Sequence, residues 1–143
     1  MSRKNFLEMV RDSFQTDFHI ANNFFVLKEG PGFRKQKQTI DVFSSKWERY
    51  QKSQEKEGLY KFQKDWFLKL YGFESERHLS DFLKTKRIIL DAGCGLGYKS
   101  AWFAALAPSS LVIGIDFSES AEQASALYQD YNNLFFVKGD IAN

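Results

Sequence analysis

The chain has 143 residues, of which 43% are hydrophobic and 17% aromatic, and its formal net charge is +2 at pH 7. This composition predicts one globular core and excludes a disordered or low-complexity chain. The single cysteine excludes an intramolecular disulfide and argues against a cysteine-based zinc site, so no metal is expected. Because no apolar run approaches the roughly 20 residues of a membrane span, we expect a cytoplasmic protein without a membrane partner.

The distribution of charge divides the chain into two regions. Residues 1–86 contain 17 basic and 12 acidic side chains, whereas residues 87–143 contain 3 and 6. The basic residues are interleaved with acidic ones, as around Lys52 and Glu55, which is typical of solvated helix faces. Nucleic-acid binding is therefore not expected. We predict a mainly helical N-terminal extension or cap over residues 1–86 and a second domain over residues 87–143.

The first residues of the chain predict a helix and a strand. Phe6, Val10, Phe14 and Phe18 recur every four residues, which predicts an amphipathic helix with a buried aromatic stripe. A short strand is predicted at Phe24–Leu27, before a breaker of glycine and proline. These elements are expected to form core or docking surface and carry no chemistry of their own.

Two more helices are predicted before residue 87. In the first of these two helices, one apolar stripe is expected to be buried, and Gly72 is expected to end the helix. The second helix is predicted over residues 75–83. Residues 36–50 predict no regular element. The predicted buried stripe consists of Leu59, Phe62, Trp66 and Leu70, and it is widened by Phe67 and Tyr71.

Residues 87–143 alternate between strands and helices. Each predicted strand is a short apolar run of the kind that is buried on both faces of a parallel sheet. These strands cover residues 88–90, 111–116 and 134–137. A helix from Tyr98, stopped by Pro108, separates the first two strands, and a helix capped by Ser118 separates the last two. The pattern predicts an α/β fold with a parallel, Rossmann-like sheet, of which this region forms a βαβαβ unit.

An acidic residue stands near the end of each predicted strand, namely Asp91, Asp116 and Asp140. Ligands of open α/β sheets bind beyond the carboxyl ends of the strands, so we expect the three acids to border one crevice. A glycine-rich loop follows Asp91, as required where a ligand must approach the backbone closely. Asp116 lies 19 residues after Gly97, close to the spacing of a carboxylate that binds ribose hydroxyls.

These motifs together resemble a known family. The segments DAGCGLG, VIGIDFS and FFVKGDIAN look like the first three motifs of class I S-adenosylmethionine-dependent methyltransferases, in the order and at the spacing that the family uses. The resemblance implies S-adenosylmethionine as cofactor and a small-molecule methyl acceptor. It also implies that the chain holds the first half of that family's Rossmann-like fold, preceded by an α-rich extension.

The resemblance also implies roles for individual residues. Asp116 would bind the ribose hydroxyls, Phe117 would lie against the adenine, and Asp140 and Ile141 would border the adenine edge. The loop around the methionine part of the cofactor would consist of Asp91, Ala92, Gly93, Cys94, Gly95 and Gly97. No catalytic residue is predicted, because the reactive group belongs to the cofactor and no general base can be named.

Two other functions stay open. One is an NAD(P)-binding oxidoreductase, whose fingerprint is G-x-G-x-x-G; counting from Gly93 puts Tyr98 in the place of its last glycine. The other is a non-catalytic module that binds the cofactor or a partner without turnover. The three ordered motifs favour the methyltransferase over both.

The family's sheet has more strands than the three predicted here. We therefore expect the chain to be an N-terminal fragment of a longer methyltransferase, in which the first predicted strand leaves one edge unpaired. An unpaired apolar edge favours pairing with another chain. The isolated chain is therefore expected to self-associate through this edge and to have little turnover.

Overall fold

The structure, a computed structural model, describes residues 2–14, 18–21, 23–27 and 56–141. Residues 36–50 lie outside these ranges. None of the described helices is long and apolar enough to cross a membrane. The described elements are helix α1 (Arg3–Ser13), strands β1 (Phe18–Ala21) and β2 (Phe24–Leu27), helices α2 (Lys56–Leu70) and α3 (Glu76–Lys84), strand β3 (Ile88–Ala92), helix α4 (Tyr98–Leu106), strand β4 (Leu111–Asp116), helix α5 (Ser120–Leu127) and strand β5 (Leu134–Lys138).

The described strands form one five-stranded sheet with the order β1-β2-β5-β4-β3. Strands β2, β5, β4 and β3 are parallel to one another, and β1 is antiparallel to β2. The predicted parallel, Rossmann-like α/β fold and the predicted strand at Phe24–Leu27 are confirmed. Because β2 pairs directly with β5, the N-terminal region contributes a strand to the same sheet. The division of the chain into two domains at residue 87 stays a prediction.

Helices cover both faces of this sheet. On one face, Phe6 and Val10 of α1 pack with Phe25 and with the odd-numbered side chains of β4 and β5. On the other face, α3, α4 and α5 enclose Val112 and Phe136. Successive strand residues point to opposite faces, so each central strand contributes to both layers. Strand β4 is buried over its whole length, as the sequence predicts.

Helix α1 is shorter than the sequence pattern predicts. Phe6 and Val10 are buried, as expected from their spacing. The helix ends at Ser13, however, because Phe14 has extended backbone dihedrals, with φ of −116° and ψ of 126°. Phe18 belongs to strand β1. The four-residue repeat of apolar side chains therefore extends beyond the C-terminal end of the helix.

Strand β3 lies at the edge of the described sheet, and its predicted burial on both faces is wrong. Ile88 is 44% exposed and Leu90 58% exposed. Their partners on β4, Leu111 and Ile113, are buried on the same face. Helix α1 packs over β4, and among the described elements only β4 pairs with β3. Self-association through this edge stays a prediction.

Helix α2 packs through only part of the predicted stripe. Phe62 is 65% exposed and Trp66 53% exposed, although both belong to the stripe that the sequence predicts to be buried. Instead, the ring of Phe67 lies 5.7 Å from that of Trp102 and 5.3 Å from that of Phe103, measured between centroids. These aromatic contacts with α4 fix the rotation of α2 about its axis. The predicted stripe is therefore buried only in part, because Leu59 and Phe67 are half-buried whereas Phe62 and Leu70 are exposed.

The turn between α2 and α3 follows the predicted pattern. Gly72 comes just after α2 with a φ of 72°, the left-handed conformation that commonly ends a helix. The Ser75 side chain accepts the backbone N–H of His78 and caps α3. Leu79 and Leu83 are then buried against the helical core. This places α2 beside the start of α4, where the glycine loop ends.

Candidate functional site

A glycine-rich loop connects β3 to α4 and lies against the end of β4. Gly93, Gly95 and Gly97 have φ angles of 73°, 53° and 74°, which residues with side chains rarely adopt. The backbone N–H groups of Gly93 and Cys94 both donate to the carbonyl of Ile115, at 2.8 and 3.0 Å. The left-handed dihedrals therefore turn the loop onto the neighbouring strand.

Gly97 is a point of very close packing in this loop. A Cβ at this position would lie 2.5 Å from Cε1 of Phe136 and 2.9 Å from the Cβ of Ala124. Gly114, in the middle of β4, is also enclosed: its Cβ would lie 2.8 Å from the Phe136 ring and from Oγ of Ser100. The Phe136 ring occupies the space that these two glycines leave. This ring thereby sets the distance between the loop and the sheet.

Asp91, near the end of β3, is turned into the protein. Its Oδ2 accepts a hydrogen bond from Oγ of Ser100 at 2.7 Å, and both residues are buried. Burial raises the pKa of Asp91 above its ordinary value, and the hydrogen bonds from Ser100 and the charge of Lys99 offset part of that rise. Asp91 thus places negative charge at the N-terminus of α4, where it is favourable. Ala92, the next residue, is exposed.

Asp116, at the end of β4, joins the glycine loop to the following helix. Its Oδ2 accepts the N–H of Gly95 at 2.9 Å. Its Oδ1 accepts the N–H of Ser118 at 2.9 Å and the hydroxyl of Ser118 at 2.7 Å. The Ser118 Oγ in turn accepts the N–H of Ser120, where α5 begins. The prediction that Ser118 is the N-cap is therefore wrong, because Glu119 holds that position.

The other predicted site residues lie at the same end of the sheet. The N–H of Gly139 donates to the carbonyl of Asp116 at 3.0 Å, which places Asp140 beside the end of β4. Phe117 is half-buried and Ile141 is exposed. The acids at the ends of β3 and β4 are close enough to interact through their charges. The structure thus brings the three strand-end acids to one edge, and their contacts with a cofactor stay a prediction.

Cys94 sits in the loop as a buried, protonated thiol. Burial raises its pKa far above the ordinary value, and the charges of Asp91 and Asp116 raise it further. A thiol is nucleophilic only as the thiolate. Cys94 is therefore not an activated nucleophile in this loop.

A cavity of about 320 Å³ lies between α2 and the glycine loop. Its volume is at the low end of the range for small-molecule sites. The loop side contributes Gly93, Cys94 and the half-buried Lys99. The α2 side consists of Leu59, Tyr60, Gln63, Trp66 and Phe67.

Two stacked tyrosines fasten α2 to the start of α4 beside this cavity. The rings of Tyr60 and Tyr98 lie 3.7 Å apart between centroids and are nearly parallel, at 7°. The hydroxyl of Tyr98 donates to the carbonyl of Tyr60 at 3.3 Å. Burial raises the pKa of Tyr98 to about 12, so this donor stays protonated at neutral pH. The sequence predicted no site residue on α2, because no periodic pattern signals a contact between residues so far apart.

The part of the chain that forms β3, β4 and β5 matches a known family. Residues 89–143 match the family described as "Methyltransferase domain". This part of the chain is therefore similar to methyltransferase domains. The resemblance that the three motifs predict is thereby confirmed for this part of the chain.

One solved structure that is similar to the chain is the "Structure of the plantazolicin methyltransferase BpumL in complex with SAH". The TM-score is 0.39 and the sequence identity 20%, and the likeness covers 78% of this chain and 44% of that chain. This chain therefore spans less than half of the length of that protein. A comparison with curated proteins gives no match.

The residues that match this family include every residue predicted to contact a cofactor, from Asp91 to Ile141. Helix α2 precedes the matched residues, yet it supplies one wall of the cavity beside the loop. The candidate site is therefore built jointly by the residues that match the family and by the helix before them.

Proposed function

We propose that the chain is part of a methyltransferase that uses S-adenosylmethionine and transfers its methyl group to a small molecule. One observation carries this proposal: the methyltransferase domain sequence coincides with a left-handed glycine loop at the carboxyl ends of parallel strands. Open α/β sheets bind nucleotide-containing ligands at that edge. The acceptor and the turnover belong to the whole protein, of which this chain supplies the cofactor loop.

The residues at this edge fit the adenosine part of S-adenosylmethionine. Asp116 accepts three hydrogen bonds from donors in the described part of the chain, and a carboxylate has about four acceptor positions. One position on Oδ2 is therefore left for a ribose hydroxyl. A Cβ at Gly93 would meet no atom within 4 Å, so the loop backbone has open space for a ligand at this point. Phe117 and Ile141 supply apolar surface for the adenine.

The contribution of this chain to methyl transfer would be alignment and exclusion of water. When bound, the cofactor supplies an electrophilic methyl group on its sulfonium. Trp66 and Phe67 line the cavity beside the loop, and aromatic faces attract a positive charge such as the sulfonium. Among the residues that the structure describes, the cavity lining contains no histidine and no acidic residue. We therefore assign no general base to these residues.

A dinucleotide-binding oxidoreductase is the second candidate. Its fingerprint requires a glycine at the position of Tyr98, so that helix and strand can pack closely. In this chain the Tyr98 side chain stacks on Tyr60 and lines the cavity. That arrangement favours S-adenosylmethionine over NAD(P). A non-catalytic module would share the cofactor loop and would differ from the enzyme in turnover alone.

Titration calorimetry of the chain with S-adenosylhomocysteine and with NAD separates these candidates. S-adenosylhomocysteine presents the same adenosine and amino-acid ends as the cofactor and lacks the transferable methyl group. We expect saturable heat with S-adenosylhomocysteine and none with NAD, because the ribose site and the loop suit the first ligand. Heat with NAD alone would contradict the proposal in favour of the oxidoreductase, and heat with neither ligand would refute cofactor binding.

A further inference from the structure

We propose that a second cavity, bordered by aromatic rings, binds a small organic cation of the quaternary ammonium class. This cavity has a volume of about 340 Å³ and is lined by residues of α2, α3 and α4 and by two tyrosines that follow α5. It shares Tyr60 and Tyr98 with the cavity beside the glycine loop, but no other residue that the structure describes lines both. The proposed site is therefore separate from the proposed cofactor site and does not depend on the proposed function.

Five aromatic side chains line this cavity, and three aliphatic ones complete its apolar surface. The rings of Tyr128 and Tyr131 meet edge to face, with centroids 6.0 Å apart and an angle of 77° between their planes. The face of an aromatic ring is negative and attracts a cation. Several aromatic faces around one space are the arrangement that recognises quaternary ammonium groups. The aromatic members of the lining are Tyr60, Tyr98, Trp102, Tyr128 and Tyr131.

The phenol groups of the lining tyrosines lie close to one another. Burial raises the pKa of Tyr128 to about 12, and the neighbouring phenols of Tyr60 and Tyr131 contribute to this rise. Such an influence between phenols acts over short distances, because water and salt screen charges that are farther apart. Tyr128 therefore stays neutral near pH 7 and offers a cation its ring and its phenol oxygen.

One cation of the chain already lies on this aromatic surface. Nζ of Lys64 lies 5.2 Å from the centroid of the Trp102 ring, within the range of a cation–π contact. Lys64 is half-buried and forms no salt bridge within the part of the chain that the structure describes. Its ammonium group is therefore held by an aromatic face and not by a carboxylate. Because the lysine side chain is long and flexible, a ligand cation can displace it from the ring.

The charges near the cavity also favour a cation. Glu76 lines the cavity, and Glu57 lines an adjoining one that shares Lys64 and Glu76 with it. The adjoining cavity also has Lys61 and Asp65, which pair with each other at 2.7 Å. With this pair neutralised, two carboxylates remain beside one ammonium, so the net charge of the two linings is −1. A cationic ligand is complementary to this charge, whereas an anionic ligand would meet the two carboxylates.

A quaternary ammonium group suits this lining better than a primary one. A primary ammonium is strongly hydrated and has three hydrogen-bond donors to satisfy. A quaternary group has no N–H, and its methyl groups can lie against aromatic and aliphatic carbon on several sides. The cavity volume of about 340 Å³ is at the low end of the range for small-molecule sites, which suits a ligand of the size of choline.

Choline and its neutral carbon analogue, in which a tert-butyl group replaces the trimethylammonium group, test the proposal because they differ in charge and not in shape. In an NMR titration, we expect choline to shift the side-chain signals of Tyr128 and Tyr131 in a saturable manner. The analogue should bind about fivefold more weakly, as for the loss of a cation–π contact. Saturating S-adenosylhomocysteine should change the choline affinity by less than about twofold, because these two tyrosines lie outside the cofactor cavity.

Two substitutions in the lining have opposite expected effects. Tyr131→Leu removes one aromatic face and should weaken choline binding about fivefold. Lys64→Met removes the competing ammonium from the Trp102 ring and should strengthen choline binding about fivefold. A general loss of structure would lower the affinity in both variants, so the gain in Lys64→Met separates the proposal from misfolding.

Tyr71→Leu and Lys84→Met are the matched controls, because both residues are exposed and lie outside the lining. Both variants should bind choline within about twofold of the unmodified chain. Equal affinities for choline and its analogue would overturn the proposal, as would competition with S-adenosylhomocysteine or a Lys64→Met variant that gains no affinity. If choline binds neither the unmodified chain nor Lys64→Met, the cavity is not a cation site. Failure of cofactor binding alone would refute the proposed function and leave this test intact.

Discussion

Replacing Gly97 by alanine is expected to lower the free energy of unfolding by about 3 kcal/mol. The left-handed φ of 74° costs a residue with a side chain roughly 1–2 kcal/mol. In addition, the new Cβ would lie 2.5 Å from the buried ring of Phe136. Forcing extra volume into a packed core costs about 1–3 kcal/mol. Urea unfolding followed by far-ultraviolet circular dichroism measures the sum.

Gly93→Ala separates the two costs. Gly93 has nearly the same φ, 73°, but a Cβ there would meet no atom within 4 Å. This variant should therefore lose only the backbone part, about 1–2 kcal/mol. If the two variants lose the same free energy of unfolding, Phe136 does not fill the space beneath Gly97 and this account of the loop is wrong.

Asp116→Ala is expected to abolish measurable binding of S-adenosylhomocysteine and to destabilise the chain by about 2–4 kcal/mol. The substitution leaves the N–H of Gly95 and the N–H and hydroxyl of Ser118 without their acceptor. A buried donor that loses its acceptor costs about 1–3 kcal/mol. The loop is then no longer fastened to β4, and the acceptor proposed for the ribose is gone. Calorimetric titration and urea unfolding measure the two effects.

Ser118→Ala is the control for the stability part of this effect. It removes the hydroxyl that donates to Asp116 and accepts the N–H of Ser120, but it leaves the carboxylate and its bond to Gly95 in place. We expect a loss of about 1–3 kcal/mol in stability, as for two hydrogen bonds, and S-adenosylhomocysteine affinity within about twofold of the unmodified chain. Binding that survives in Asp116→Ala, or that is lost equally in Ser118→Ala, would contradict the ribose role of Asp116.

The sequence predicts the central elements of the fold well, because several local signals agree there. Strand β4 occupies the predicted residues, Leu111–Asp116, since an unbroken apolar run suits a strand with both faces covered. Helix α4 runs from Tyr98 to Leu106, between the glycine loop and Pro108, as the start and stop signals indicate. The order of strands and helices in this region follows from that alternation.

The errors arise where burial depends on distant parts of the chain. Ile88 and Leu90 look like residues of a doubly covered strand, but β3 lies at the edge of the described sheet. Helix α2 has a wide apolar stripe, and its spacing cannot tell which of these side chains contact α4. The contact of Phe67 with Trp102 decides this, and it joins residues far apart in sequence.

The candidate site was predicted only in part, because some of its residues meet through contacts between distant parts of the chain. Asp91, Asp116 and the glycine loop follow from motif and spacing, and the structure brings them to one edge of the sheet. Their hydrogen-bond partners are not encoded in any local pattern. Lys99 and the α2 wall with Tyr60 were missed, because they become site residues only when α2 packs beside the loop.

A crystal structure of the chain with S-adenosylhomocysteine tests the central claim most directly. We predict that the ligand lies against the glycine loop, with a ribose hydroxyl within hydrogen-bonding distance of Asp116. A saturated crystal in which the ligand lies away from the carboxyl ends of β3 and β4 would contradict the claim that this loop is the cofactor site.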